Sequence, residues 1–340
     1  MKLMALALLL MLSTSTMCMD ITQYQSGKPV TNSEAHELVK RFKSRNVQEW
    51  KDPPALDALS GHENAELIRY GIQVLDKTVL TIGPKVSDLK KRFSGNSLNC
   101  SSCHLKGGTG LPGTKYDAIP FSNMVNDYPQ FRGRGMSIVS AEMRINGCMT
   151  RSMGNGRSLP SDSREMLGML AYFDWLAEGT QKDQAMKGTN LPKIDLPNRR
   201  ANVQAGEKVY KAKCLACHGA DALGMKAPEY AQTGNYVFPP LAGEDSFNDG
   251  AGMSRLIKAT QFIHANMPLG AISSQPQLSV DDAYDVAAYM LSLQRPHRDG
   301  RDKDFPDPDF RPADYPVPGY FGDDSDALKR AKLGPYNSAK

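Results

Sequence analysis

Asn99-Cys100-Ser101-Ser102-Cys103-His104 decides how the rest of this 340-residue chain is read. Two cysteines separated by two residues and followed at once by histidine form the attachment signature of covalent haem. The thiols add to the vinyl groups, and the histidine binds iron from one face. Cys214-Leu215-Ala216-Cys217-His218 repeats the signature 114 residues on. One such motif can arise by chance. Two, each led by a helix-like segment and trailed by glycine-rich loop, leave little room for another reading. A zinc site or a redox dithiol has no use for the adjoining histidine. Two covalently bound haem c groups are expected, held by Cys100 and Cys103 with His104, and by Cys214 and Cys217 with His218.

Length supports two domains rather than one. The formal charge of +4 is mild and does not suggest nucleic acid; four haem propionates would pull the true balance lower. Residues 1–19 read as a secretory signal: Lys2, an apolar run over Leu3–Leu12, then small polar residues. The run is short for a membrane span, and no other stretch approaches spanning length. A periplasmic protein is expected, which agrees with haem attachment outside the cytoplasm. Ser15 stands where a lipoprotein signal carries a large aliphatic residue, which argues against a lipid on Cys18. Of six cysteines, four go to haem and Cys18 leaves with the signal. Cys148 remains, and a lone thiol in an oxidising compartment calls for a use.

The apolar periodicity predicts helices at Ser33–Phe42, Glu63–Leu80, Val139–Ile145 and Arg164–Glu178 in residues 20–180, and at Asn202–Lys213, Met253–Asn266 and Asp281–Leu293 in residues 201–295. Gly71 and Gly206 sit where a helix crosses another closely. Residues 181–200 read as a linker. Residues 296–340, rich in Pro and Asp, read as an extended tail without a core of its own. The fold class is mainly α, and each half runs helix, haem motif, loops, closing helix. This arrangement resembles class I cytochrome c in tandem.

The second iron ligand on each side sets the chemistry. In the second half Met267, 49 residues after His218, is expected on a loop stiffened by Pro268; Met225 and Met253 are less well placed. A neutral thioether favours ferrous iron and raises the potential. In the first half the corresponding place holds Cys148, 44 residues after His104. Spacing alone leaves Met143, Met149 and Met153 open as ligands. A thiolate would favour ferric iron. Five arginines (Arg132, Arg134, Arg144, Arg151, Arg157) and one acid, Glu142, crowd the stretch from Arg132 to Arg157. Guanidinium binds oxyanions through paired hydrogen bonds and keeps its charge. Five exceed what one haem needs, so a small sulfur oxyanion is a candidate substrate.

Cys-Ser-Ser-Cys-His-Leu-Lys-Gly-Gly from Cys100, Tyr128-Pro-Gln-Phe-Arg-Gly-Arg134, Arg144-Ile-Asn-Gly-Cys-Met-Thr-Arg-Ser-Met153 and Asn266-Met-Pro-Leu-Gly270 resemble the di-haem thiosulfate dehydrogenases. The resemblance covers most of the chain after the signal. It implies Cys148 as the distal ligand of the catalytic haem, with Arg134, Arg144 and Ser152 as pocket residues. It implies coupling of two thiosulfates to tetrathionate, or the reverse, with electrons passed to an external acceptor such as a small cytochrome c. Some relatives carry Lys before the axial Met; here Asn266 cannot replace Met267. The residues alone leave two alternatives: a cytochrome subunit of a multi-protein thiosulfate-oxidising system, or a plain di-haem electron carrier.

Overall fold

The computed structural model describes residues 25–321 and 325–336. The signal segment and Cys18 lie outside the described residues.

Each half is built on a pair of crossing helices. In the first, Ala65–Asp76 packs on Arg164–Ala177. The contact is possible because Gly71 faces Gly168: a Cβ at Gly71 would collide with the Gly168 carbonyl. In the second, Val203–Lys213 packs on Val280–Ser292. There Gly206 faces the Asp285 carbonyl in the same way. Both close approaches agree with the sequence, Gly71 by its place in an apolar stripe and Gly206 by sharing a helix face with Tyr210. Serine caps both closing helices, Ser163 accepting from the Met166 amide and Ser279 from the Asp282 amide.

The boundaries depart from the sequence reading in three places. The expected Glu63–Leu80 helix breaks at Lys77 into Ala65–Asp76 and Thr78–Ile82. The buried Thr78 hydroxyl donates back to the Val74 carbonyl and accepts from the Cys100 amide, so the break docks the haem motif. Val139 belongs to a strand, Ser137–Val139, paired antiparallel with Gln130–Arg132; the helix begins after Ser140 caps it and runs Ala141–Met149. Met253 lies in a short 3₁₀ turn, and the helix proper is Leu256–Asn266, because Arg255 is drawn out to Asp314.

One apolar cluster runs from Leu59, Ile68 and Val74 through Phe173 and Trp175 to Leu256, Tyr284 and Met290, so the halves share a core. Residues 181–200 are not a free linker. Ala185–Met186 pairs in parallel with Val47–Gln48, and Met186 and Leu191 are buried. The tail also departs from expectation. It makes short 3₁₀ turns and a helix, Ser325–Leu333, and Phe305, Tyr315 and Val317 form a small core. Composition concealed this, because the aromatic residues stand between the prolines. Phe305 and Tyr315 meet edge-on with centroids 5.0 Å apart. Among the described residues no helix is long and apolar enough to cross a membrane.

Candidate functional site

Two cavities flank the first haem motif. The first, about 400 Å³, is lined by Cys100, Cys103, His104 and Cys148 among others. The second, about 560 Å³, is lined by Cys214, Cys217, His218 and Met267 among others. Leu98, Asn99 and Cys103 line both.

The two histidines are held alike. His104 Nδ1 lies 2.6 Å from the Ile119 carbonyl and His218 Nδ1 lies 2.9 Å from the Pro239 carbonyl. A carbonyl only accepts, so Nδ1 carries the proton in each and Nε2 keeps its lone pair for a metal. Both acceptors precede a proline, Pro120 and Pro240. Ile119 adopts φ 55°, a left-handed conformation costly for a β-branched residue. That strain presents its carbonyl to His104. The His104 ring also stacks on Phe121 at 4.3 Å.

The further sulfurs that line the two cavities differ. Met267 caps the C-terminal end of the Leu256–Asn266 helix, its amide bonded to the Ile263 carbonyl. Cys148 lies in the last turn of the Ala141–Met149 helix rather than on a loop. Arg144, one helical turn earlier, shares its face. Arg144 Nη1 donates to Cys148 Sγ at 2.8 Å, and Tyr128 bonds the same guanidinium. Burial pushes the Cys148 thiol up. The charge of Arg144 and the hydrogen bonds to the sulfur outweigh burial, and the net is a fall to about 6. By contrast, burial raises Cys100 to about 11, Cys103 to about 12 and Cys214 to about 11. Cys148 is therefore set apart as the thiolate.

The five arginines separate. Arg132 and Arg144 line the Cys148 cavity, as does Ser152. Arg134 does not. It is held 2.6 Å from the Asp304 carboxylate and lies over the Phe305 and Tyr315 rings. Arg151 also pairs with Asp304, and Arg157 donates to the Lys90 and Arg92 carbonyls. The sequence reading placed Arg134 in the pocket; the tail carboxylate, remote in sequence, draws it away. It passed over Tyr128 and gave Arg132 no individual role. Their only signal was the Tyr128–Arg134 block itself.

The donor sets fit haem. In each cavity a thiol pair, an imidazole and a further sulfur gather around space lined by apolar side chains.

A cytochrome c family profile matches residues 203–294. The thiosulfate dehydrogenase of Allochromatium vinosum is 42% identical over 204 residues, 60% of this chain and 72% of that protein. The thiosulfate dehydrogenase of Psychrobacter arcticus is 35% identical over 256 residues, 75% of this chain and 72% of that one. The chain belongs to the thiosulfate dehydrogenase family. The solved thiosulfate dehydrogenase TsdBA of Marichromatium purpuratum superposes with a TM-score of 0.64 at 32% identity, covering 74% of this chain and 51% of that chain. The present family member thus spans about half the length of that structure. Its residues 203–294 form a cytochrome c domain, whose cofactor is covalently attached haem c.

Proposed function

We propose that the protein oxidatively couples two thiosulfate ions to tetrathionate, a reaction it could also run in reverse. The observation that carries this reading is the Cys148 thiolate, bonded by Arg144 and beside His104 in a cavity that Arg132 also lines. An electron carrier needs no such charged sulfur and no oxyanion donors.

In this reading there are two haems. Cys100 and Cys103 would attach the first, with His104 and Cys148 as candidate iron ligands. Cys214 and Cys217 would attach the second, with His218 and Met267 as candidate ligands. Residues 20–180 form the catalytic domain and 201–295 the electron-exit domain of a periplasmic protein. The bound haems would accept the two electrons of each turnover singly and release them to an external acceptor such as a small cytochrome c.

The side chains account for the rest. Arg132 and Arg144 bind the sulfonate oxygens and offset repulsion between two dianions. Cys148 forms a bond to the sulfane sulfur of one thiosulfate, with loss of two electrons, giving a Cys–S–S–sulfonate. The sulfane sulfur of the second thiosulfate attacks the sulfane sulfur of that adduct. A new S–S bond forms, the bond to Cys148 breaks, and tetrathionate leaves with the Cys148 thiolate restored. Ser152 at the cavity wall can donate to a sulfonate oxygen. Arg134, given a pocket role by resemblance, pairs with Asp304 and does not line this cavity.

Spectrophotometric assay of purified holoprotein with thiosulfate, and with tetrathionate plus a reductant, tests the activity. The Cys148→Gly variant should retain both haems and lose turnover. Full turnover in that variant would remove the covalent role.

A further inference from the structure

The tail carries one carboxylate that reaches back to the Cys148 site. Asp304 is 6% exposed and belongs to the stretch beyond the second domain. Its Oδ2 accepts from Arg134 Nη1 at 2.6 Å and Arg151 Nη1 at 2.8 Å, and its Oδ1 accepts from Arg151 Nη2 at 2.7 Å. The Tyr315 hydroxyl donates to it at 2.5 Å. The Gly250 carbonyl, from the second domain, accepts at 3.2 Å from each of the same Nη1 atoms.

The two arginines come from different segments. Arg134 lies in the turn between strands Gln130–Arg132 and Ser137–Val139, two residues after Arg132. Arg151 lies three residues after Cys148, just past the end of its helix. Asp304 therefore ties the segment that delivers Arg132 to the segment that delivers Cys148 and Arg144. Neighbouring tail bonds act on the same places. Arg298 Nη1 donates to the Thr150 carbonyl at 2.8 Å, and the Phe305 amide donates to the Arg134 carbonyl at 2.9 Å.

We propose that Asp304 is a positioning residue for the Cys148 site, fixing the hairpin guanidinium of Arg132 relative to the sulfur. The proposal rests on Cys148 being the reacting sulfur. Asp304 touches neither substrate nor sulfur; it acts through Arg134 and Arg151. Reactions between two held groups are sensitive to such placement. A misplacement of about 1 Å from a remote change can lower turnover about 100-fold.

The test uses full-length holoprotein with Asp304→Asn and Asp304→Glu. Asparagine removes the charge that two part-buried guanidiniums share. Glutamate keeps it and moves the carboxylate by one methylene. In Asp304→Asn both haems should stay attached, the His218/Met267 paramagnetic resonance signal should be unchanged, and the His104/Cys148 signal should shift or split. The kcat should fall about 100-fold with a smaller change in KM. Asp304→Glu should show an intermediate shift and a loss of about tenfold. A role confined to overall stability would lower the unfolding midpoint while leaving the first haem's signal and kcat intact. That result in folded Asp304→Asn, with kcat within about twofold of the parent, overturns the proposal. Where Asp304→Asn yields no holoprotein, Asp304→Glu decides: the parent signal and kcat overturn the proposal, and a shifted signal with lowered kcat supports it. Failure of the underlying reading looks different. There the parent protein would be inert towards thiosulfate, or Cys148→Gly fully active, whatever Asp304 does to the spectrum.

Discussion

The two cavities share a scaffold and differ in one sulfur and its surroundings. On both sides the histidine proton goes to a carbonyl preceding proline, and a helix end brings a further sulfur to the cavity wall. On both sides a glycine lets the flanking helix touch the closing helix. The second side then ends in a neutral thioether at Met267. The first ends in Cys148, with Arg144 bonded to the sulfur at 2.8 Å and Arg132 in the same cavity. Chemistry is thus added to an electron-transfer frame by changing what lies between the histidine and the closing helix. The hairpin Gln130–Val139 and the helix Ala141–Met149 lie in that stretch, and the tail secures it.

The most direct way to break this contrast is to make the two sulfurs alike. Cys148→Met should leave both haems attached and raise the potential of the first, by removing anionic sulfur. Thiosulfate turnover should fall on the order of 10³-fold or more, because no nucleophile remains. Redox titration and steady-state assay of the same preparation check both. An unchanged potential would mean that Cys148 is not on the iron.

Removing the charge while keeping the sulfur sharpens the contrast. Arg144→Gln takes away the nearest donor to Cys148 and should lower kcat/KM about 100-fold, the cost of losing one preorganised donor. Arg144→Lys should recover only part, since an ammonium cannot pair with both sulfur and Tyr128 in the same plane. Arg132→Gln should cost about tenfold, mostly in KM, if its guanidinium mainly binds substrate. Equal losses at Arg132 and Arg144 would place both at the reacting atoms.

What could be read beforehand follows from how local each signal is. The Cys-x-x-Cys-His motifs and the crossing glycines are contained in single helices or turns, so spacing exposes them; the bond from Arg144 to Cys148 was missed because the expected helix stopped at Ile145. The sorting of the arginines is not local. Arg134 is drawn from the cavity by a carboxylate 170 residues on, and Arg151 by the same group 153 residues on. Nothing near either residue announces that. The break at Lys77 likewise depends on Thr78 meeting the Cys100 amide, 22 residues away. The tail core was hidden because average composition hides the pairing of Phe305 with Tyr315.

Smaller effects test whether the scaffold is common to the two halves. Gly71→Ala and Gly206→Ala each push a methyl group into a backbone carbonyl of the closing helix. Both should lower stability by about 1–3 kcal/mol, the usual range for overpacking. Gly168→Ala should be milder, since its nearest contact would be the Gly71 amide nitrogen at 3.0 Å. Denaturant unfolding of the holoproteins compares the three.

The finest comparison is between the serine caps of the closing helices. Ser163 accepts from the Met166 amide at 3.2 Å and Ser279 from the Asp282 amide at 3.0 Å. Loss of either hydroxyl frees one amide at a helix start, so Ser163→Ala and Ser279→Ala should each cost about 1 kcal/mol. Ser163 also donates to the Pro160 carbonyl at 2.7 Å, which fixes the chain entering its helix. Ser279 has Asp281 and Asp282 in the first turn, whose charges favour the helix N-terminus with or without the cap. Ser163→Ala should therefore be the costlier of the two by a few tenths of a kcal/mol. Both measured as differences in denaturant midpoint on holoprotein, a reversed order would show that the acidic first turn leans on its cap rather than backing it up.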